Sequence, residues 1–113
     1  MGEPVVRRLG PAKTLSVASS GTTSDAFALD AAAFGGLYMP ASLTSTSLSF
    51  TVCDTIDGTY VGLEDATGAA IALTVEAAKA YALPPELFGF RYAKLVCGSS
   101  EASARSFVVS LKG

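Results

Sequence analysis

Leu48, Phe50 and Val52 alternate with Ser49, Thr51 and Cys53 inside "SLSFTVCDT", residues 47–55. A strict period of two sends every second side chain to one face, so this run predicts a strand with one buried and one polar face. Ile56, Asp57 and Gly58 follow directly. Asp and Gly tolerate the positive φ of tight loops, so the triplet predicts a hairpin turn into a return strand from Thr59 to Glu64. Asp65, Ala66, Thr67 and Gly68 supply another turn, and Ala69 to Val75 another strand, with Ile71, Leu73 and Val75 on one face. In order, these segments predict a meander.

The rest of the chain reads the same way. Lys13 to Ser19 and Asp25 to Leu29 are candidate strands on either side of "SGTTS", and Arg91 to Gly98 and Ala104 to Leu111 form a candidate hairpin across "GSSEAS". In the last run Arg105, Phe107, Val109 and Leu111 alternate with Ala104, Ser106, Val108 and Ser110, which predicts a sandwich-interior strand partly covered on both faces. "VEAAKAYAL" holds strong helix formers, but Pro84 and Pro85 end it after about two turns. It therefore predicts a turn leading to a short strand at Tyr81 to Leu83. "PPELFG" reads as a single helical turn stopped by Gly89, and "AAAFGG" as a loop or small-residue contact. The expected fold is all-β: a single β-sandwich or jelly-roll-like domain of about eight short antiparallel strands over residues 13–113. Residues 1–12, with Pro4, Gly10 and Pro11, read as an irregular N-terminal arm that can reach a neighbour. A length of 113 residues suits one domain that buries about two thirds of its unfolded surface.

Half of the residues are hydrophobic and 16% are charged, which excludes the disordered class and favours a weakly charged surface suited to being covered by partners. Gly10, Pro11 and Lys13 interrupt any apolar run behind Arg7 and Arg8, so no export signal is expected. The uncharged stretch from Ala31 to Cys53 holds seven Ser and Thr residues among 23, too many hydroxyls for a membrane span. Val6 stands where an acylation motif after Gly2 requires Ser or Thr. No membrane association is expected.

Charge falls in blocks. Residues 1–13 carry Arg7, Arg8 and Lys13 against Glu3, and residues 14–78 carry seven carboxylates and no Lys or Arg. Residues 79–113 hold Lys79, Arg91, Lys94, Arg105 and Lys112 against Glu86 and Glu101. Five spread cations do not form a nucleic-acid footprint. Opposed blocks can meet within one fold or between copies of the chain.

The absence of His removes the commonest general base and every Ser-His or Cys-His arrangement, so no catalytic residue is assigned and a non-enzyme is expected. Cys53 and Cys97, 44 residues apart in sequence, fall short of a zinc set and read as small core residues; a disulfide is open if their strands are neighbours, and the lack of an export signal favours reduced thiols. Asp54, Asp57, Glu64 and Asp65 offer oxygen ligands for calcium. Their two turns, however, flank a shared strand about 17 Å long, so they read as solvated turn carboxylates. No metal or cofactor is expected. Tyr38, Tyr60, Tyr81 and Tyr92 can form a sugar-binding platform or fill a core with hydroxyls at its edge, and the lack of Trp favours the core.

Residues 41–113, about two thirds of the chain, resemble a group of small phage and prophage structural proteins. The resemblance runs through a Ser/Thr-rich strand, the Asp57-Gly58 turn, "YVGL", "AYALP", "FRYAKLV" and "RSFVVSLK". Its matched positions are mostly core and turn residues, among them Leu48, Phe50, Val52, Pro84, Arg91, Lys94 and Phe107. The resemblance implies a virion protein, assembled in the host cytoplasm, that decorates or cements a head shell or joins tail components, with no active site. The implied partners are further copies of itself, with a trimer expected, and the major capsid or another virion protein. Arg7 and Arg8 are the candidate partner-binding residues. A second reading stays open: "FGFRYAKLV" is also similar to the penultimate strand of discoidin-type domains, which implies a carbohydrate-binding sandwich used in host adsorption.

Overall fold

The computed structural model describes residues 12–29 and 32–112. Among the described residues nine strands are formed: β1 (Lys13–Val17), β2 (Phe27–Ala28), β3 (Phe34–Tyr38), β4 (Ser47–Cys53), β5 (Val61–Gly62), β6 (Ala72–Thr74), β7 (Ala80–Ala82), β8 (Tyr92–Cys97) and β9 (Arg105–Lys112). One sheet has the order β1-β9-β3-β7, and the other β2-β8-β4-β5 with β6 also paired to β4. All pairings are antiparallel. Since β5 and β6 lie along one edge of β4, they act as a single interrupted strand. The chain then forms two four-stranded sheets and crosses between them at every connection except the β4–β5 hairpin. This is a jelly-roll sandwich.

The core follows from the alternation. Leu48, Phe50 and Val52 of β4, Ala93, Leu95 and Cys97 of β8, Leu15 and Val17 of β1, Leu37 of β3, and Phe107, Val109 and Leu111 of β9 are buried between the sheets. As expected, β9 is an interior strand, held by β1 on one side and β3 on the other. The helical turn before Gly89 is a 3-10 helix, Pro85–Gly89, that buries Leu87.

Three local expectations are corrected. The meander does not form. Gly62 pairs with Thr51 and Ala72 with Ser49, so residues 64–70 are an excursion from the edge, closed by a turn in which Gly68 adopts φ +84°. The 91–98 and 104–111 segments are not a hairpin either, because β8 and β9 lie in different sheets and the 98–104 connection crosses between them. Finally, "AAAFGG" is not wholly a loop, since β3 starts at Phe34 and contains both glycines. A Cβ on Gly35 would lie 2.6 Å from the Ser110 carbonyl and 2.9 Å from Leu111 Cδ2, so close backbone approach to β9 selects glycine there.

The residues of "VEAAKAYAL" show how tertiary pairing overrides helix propensity. The Ala78 amide donates to the Pro40 carbonyl and the Met39 amide to the Lys79 carbonyl, both at 2.8 Å. These bonds hold the segment against the end of β3, where it becomes a turn and then β7.

Candidate interaction surfaces

Strand register sorts the connections to two ends of the sandwich. Residues 18–22, 40–46, 75–79 and 98–104 cluster at the first end. The second end carries the 54–60 and 83–91 connections, the start of β1 and the end of β9.

At the first end the organising residue is Glu101, 1% exposed. Oε1 accepts from the Thr44 amide and from Arg105 Nε, each at 2.9 Å. Oε2 accepts from the Ser45 amide at 2.9 Å and the Ser45 hydroxyl at 2.5 Å. The Glu101 backbone bonds Ser20 and Gly21, so one residue ties three connections together. Burial pushes the carboxyl pKa up, but the Ser45 hydroxyl, the Thr44 amide, the Arg105 guanidinium and the Ser45 amide outweigh it and bring it to about 2. The carboxylate is ionised and fully engaged, a structural keystone rather than a reactive group. Sequence reading treated Glu101 only as part of a charge block. The available signal was Arg105 four residues on, beside a run of small hydroxyl residues.

The Cys53 to Tyr60 stretch forms the hairpin turn. Asp54 and Asp57 are exposed, and the Gly58 amide closes the turn on the Thr55 carbonyl at 3.2 Å. Tyr60 donates its hydroxyl to the Ile56 carbonyl at 2.9 Å, and Lys94 Nζ lies 4.4 Å from the centre of its ring, a cation–π contact. Partial desolvation pushes the Tyr60 hydroxyl pKa up, with Cys53, Asp57 and Tyr92 adding to the shift. In the next turn Asp65 Oδ1 accepts from the Thr67 hydroxyl and the Thr67 and Ala69 amides, which holds its pKa low. Its lone pairs serve the turn. Among the described residues no three His, Cys, Asp or Glu side chains are grouped to hold a metal ion. Replacing Asp54 and Asp57 together by Asn is expected to cost at most about 1 kcal/mol, because Asn retains the turn chemistry. Thermal melts with and without calcium check this: a calcium-dependent rise of several degrees in the parent, lost in the variant, is the contrary result.

Cys53 is half-buried and Cys97 buried, both as free thiols. Burial pushes the Cys97 thiol pKa up, with Ser45 opposing and the Glu101 carboxylate adding to the rise, so it is a poor nucleophile. The tyrosines do not share a platform. Tyr81 pairs with buried Leu37 and accepts the Glu76 amide at 2.8 Å, Tyr60 and Tyr92 belong to the β4–β8 side, and Tyr38 stands exposed on β3. The exposed large apolar side chains are Phe34, Tyr38, Ile56, Val61 and Phe90. All but Tyr38 fall at the second end, where β1 begins. Arg7 and Arg8, the sequence-derived docking residues, lie outside the described residues.

The two lateral sides of the sandwich differ. On the β1/β2 side the edges guard each other: the Ser16 amide of β1 donates to Asp25 Oδ2 at 3.2 Å, and Lys13 Nζ donates to the Ala28 carbonyl of β2 at 3.3 Å. Charged caps of this kind blunt sheet edges. On the other side, bonds from the Leu83 amide to the Gly35 carbonyl and from the Met39 amide to the Lys79 carbonyl fix the β3–β7 alternation. That alternation turns the N–H and C=O groups of Ala80 and Ala82 outward. Gly62, Ala72, Thr74, Ala80 and Ala82, which line this side, are all exposed and uncharged.

The class defined by these observations is a single jelly-roll domain of two antiparallel sheets. The chain matches no protein-family model, and neither curated proteins nor solved structures show a significant similarity to it.

Proposed function

We propose that the protein is a non-enzymatic structural component of a phage virion, a head decoration or cement protein that self-associates and docks on the capsid lattice. Fold alone assigns no function, because jelly rolls serve capsid and lectin domains alike. The observation that carries the reading is that Phe34, Ile56, Val61 and Phe90, all exposed, fall at the one end of the sandwich where β1 begins. Exposed apolar side chains at the end where β1 begins, with Arg7 and Arg8 in the residues that precede β1 in sequence, suit a protein partner that covers both. The resemblance of residues 41–113 to small virion proteins points the same way.

The test is co-sedimentation of the full-length chain and a chain lacking residues 2–11 with particles that lack the protein. Full-length protein is expected to sediment and the truncated form to remain in solution, because the buried core cluster lies within residues 15–111. Equal sedimentation of both would remove the arm's role. A glycan array run alongside tests the second reading, a carbohydrate-binding module. Phe34 and Tyr38, exposed on the outer face of β3 with Gly36 between them, favour that reading. Glycan binding without particle binding would establish it.

A further inference from the structure

We infer that copies of the chain associate by strand addition, the arm of one copy, residues 4–9, pairing with the open β7 edge of the next. The inference rests on the proposed self-association and names its interface. The asymmetry between the two sides of the sandwich is the first ground. Asp25 and Lys13 occupy backbone groups of β1 and β2, whereas Ala80 and Ala82 present four outward N–H and C=O groups with no partner among the described residues. Their methyl groups leave space for an incoming strand, and an exposed unprotected edge is a template for one.

The arm's length and point of departure are the second ground. Eleven residues precede Ala12, an extended reach of about 36 Å. They leave from β1, on the capped side, while β7 is three strands away at the opposite edge of the same sheet. An arm on one side and an acceptor edge on the other make a head-to-tail contact, which closes into a ring when the rotation fits. Val5 and Val6 favour an extended strand, and Pro4 stands where such a strand would start.

Charge is the third ground. Across residues 61–86, which form the open side and its connections, Glu64, Asp65, Glu76 and Glu86 face one cation, Lys79. Arg7 and Arg8 complement that excess, and the opposed charge blocks of the sequence meet between copies.

Amide hydrogen exchange of the full-length chain over a concentration series, with mass by light scattering, tests the assignment. Exchange at Ala80 and Ala82 is expected to slow as oligomer forms. Replacing Arg7→Glu and Arg8→Glu together is expected to raise the concentration for half-association at least about tenfold. Adding Glu76→Arg and Glu86→Arg to that chain is expected to restore association. Protection of Ala80 and Ala82 that does not depend on concentration would overturn the inference by showing the chain's own arm on the edge, and association indifferent to charge reversal would overturn it equally. Arm-dependent particle binding by a strictly monomeric chain would also overturn it while leaving the proposed function standing.

Discussion

Replacing Glu101 by alanine is expected to destabilise the fold by about 3–5 kcal/mol, the range for removing one partner from a buried charge pair. For a domain of this size that lowers the melting temperature by about 15–25 °C. The substitution strands the Thr44 and Ser45 amides and Arg105 Nε, which end on the carboxylate, and leaves the Ser45 hydroxyl only the Ser99 carbonyl as acceptor. Gln keeps an acceptor but turns an NH2 group toward donors, so Glu101→Gln is expected to cost about 2 kcal/mol. Acid sensitivity gives a second readout. Because the folded-state pKa is depressed from 4.5 to about 2, the unfolded chain binds the proton more readily between those values. The stabilisation is therefore complete above pH 4.5 and lost as pH falls toward 2. Denaturant melts across this window should show a shallower loss in Glu101→Gln than in the parent, with Asp65, also shifted down, contributing to the remaining slope. Parallel pH profiles would mean that the network does not hold the ionised form.

Gly35 and Gly36 are adjacent in β3 and are expected to respond in opposite directions. Gly35→Ala sets a methyl group 2.6 Å from the Ser110 carbonyl, 2.9 Å from Leu111 Cδ2 and 3.1 Å from Leu83 Cδ1. The first of these is backbone, so β3 and β9 must separate, at a cost of about 2–3 kcal/mol. A Cβ on Gly36 meets only the Tyr81 carbonyl, at 3.8 Å. Removing the glycine's conformational freedom there is expected to stabilise by about 0.5 kcal/mol. Equilibrium denaturation of the two variants checks the contrast, and equal effects would mean that the approach of β3 to β9 is looser than described.

What the sequence made legible was local. The strand around Phe50, the turn at Asp57 and Gly58, the helical turn after Pro84 and the two-sided cover of the last strand all depend on neighbouring residues, and each was readable from period or turn chemistry. Pairing was not. The 98–104 connection has the composition of a hairpin loop, yet it spans the sandwich because Glu101 finds its partners at Ser20, Gly21, Thr44 and Ser45, more than 50 residues away. β3 was unreadable because its two glycines look like loop residues until β9 is placed beside them. The interruption between β5 and β6 escaped for a related reason: Asp65 to Gly68 signals a turn equally well in a meander and in an excursion from one strand. For the candidate surfaces, the charge blocks were visible in sequence. Which edges stood open depended on Asp25 and Lys13 reaching across to the other sheet.

The place of β9 bears on how the molecule is made. It follows the other eight described strands in chain order, yet it lies between β1 and β3, and Glu101 and Arg105 arrive with it. Until those residues emerge, the sheet is two separated parts and the first end of the sandwich lacks its tie. A topology of this kind rests on distant pairings and folds slowly relative to local structure. At a synthesis rate of about 5–20 residues per second the β1 and β3 edges wait several seconds for their shared neighbour. The sheet therefore reaches its full width only after β9 has been made and has inserted between its two neighbours.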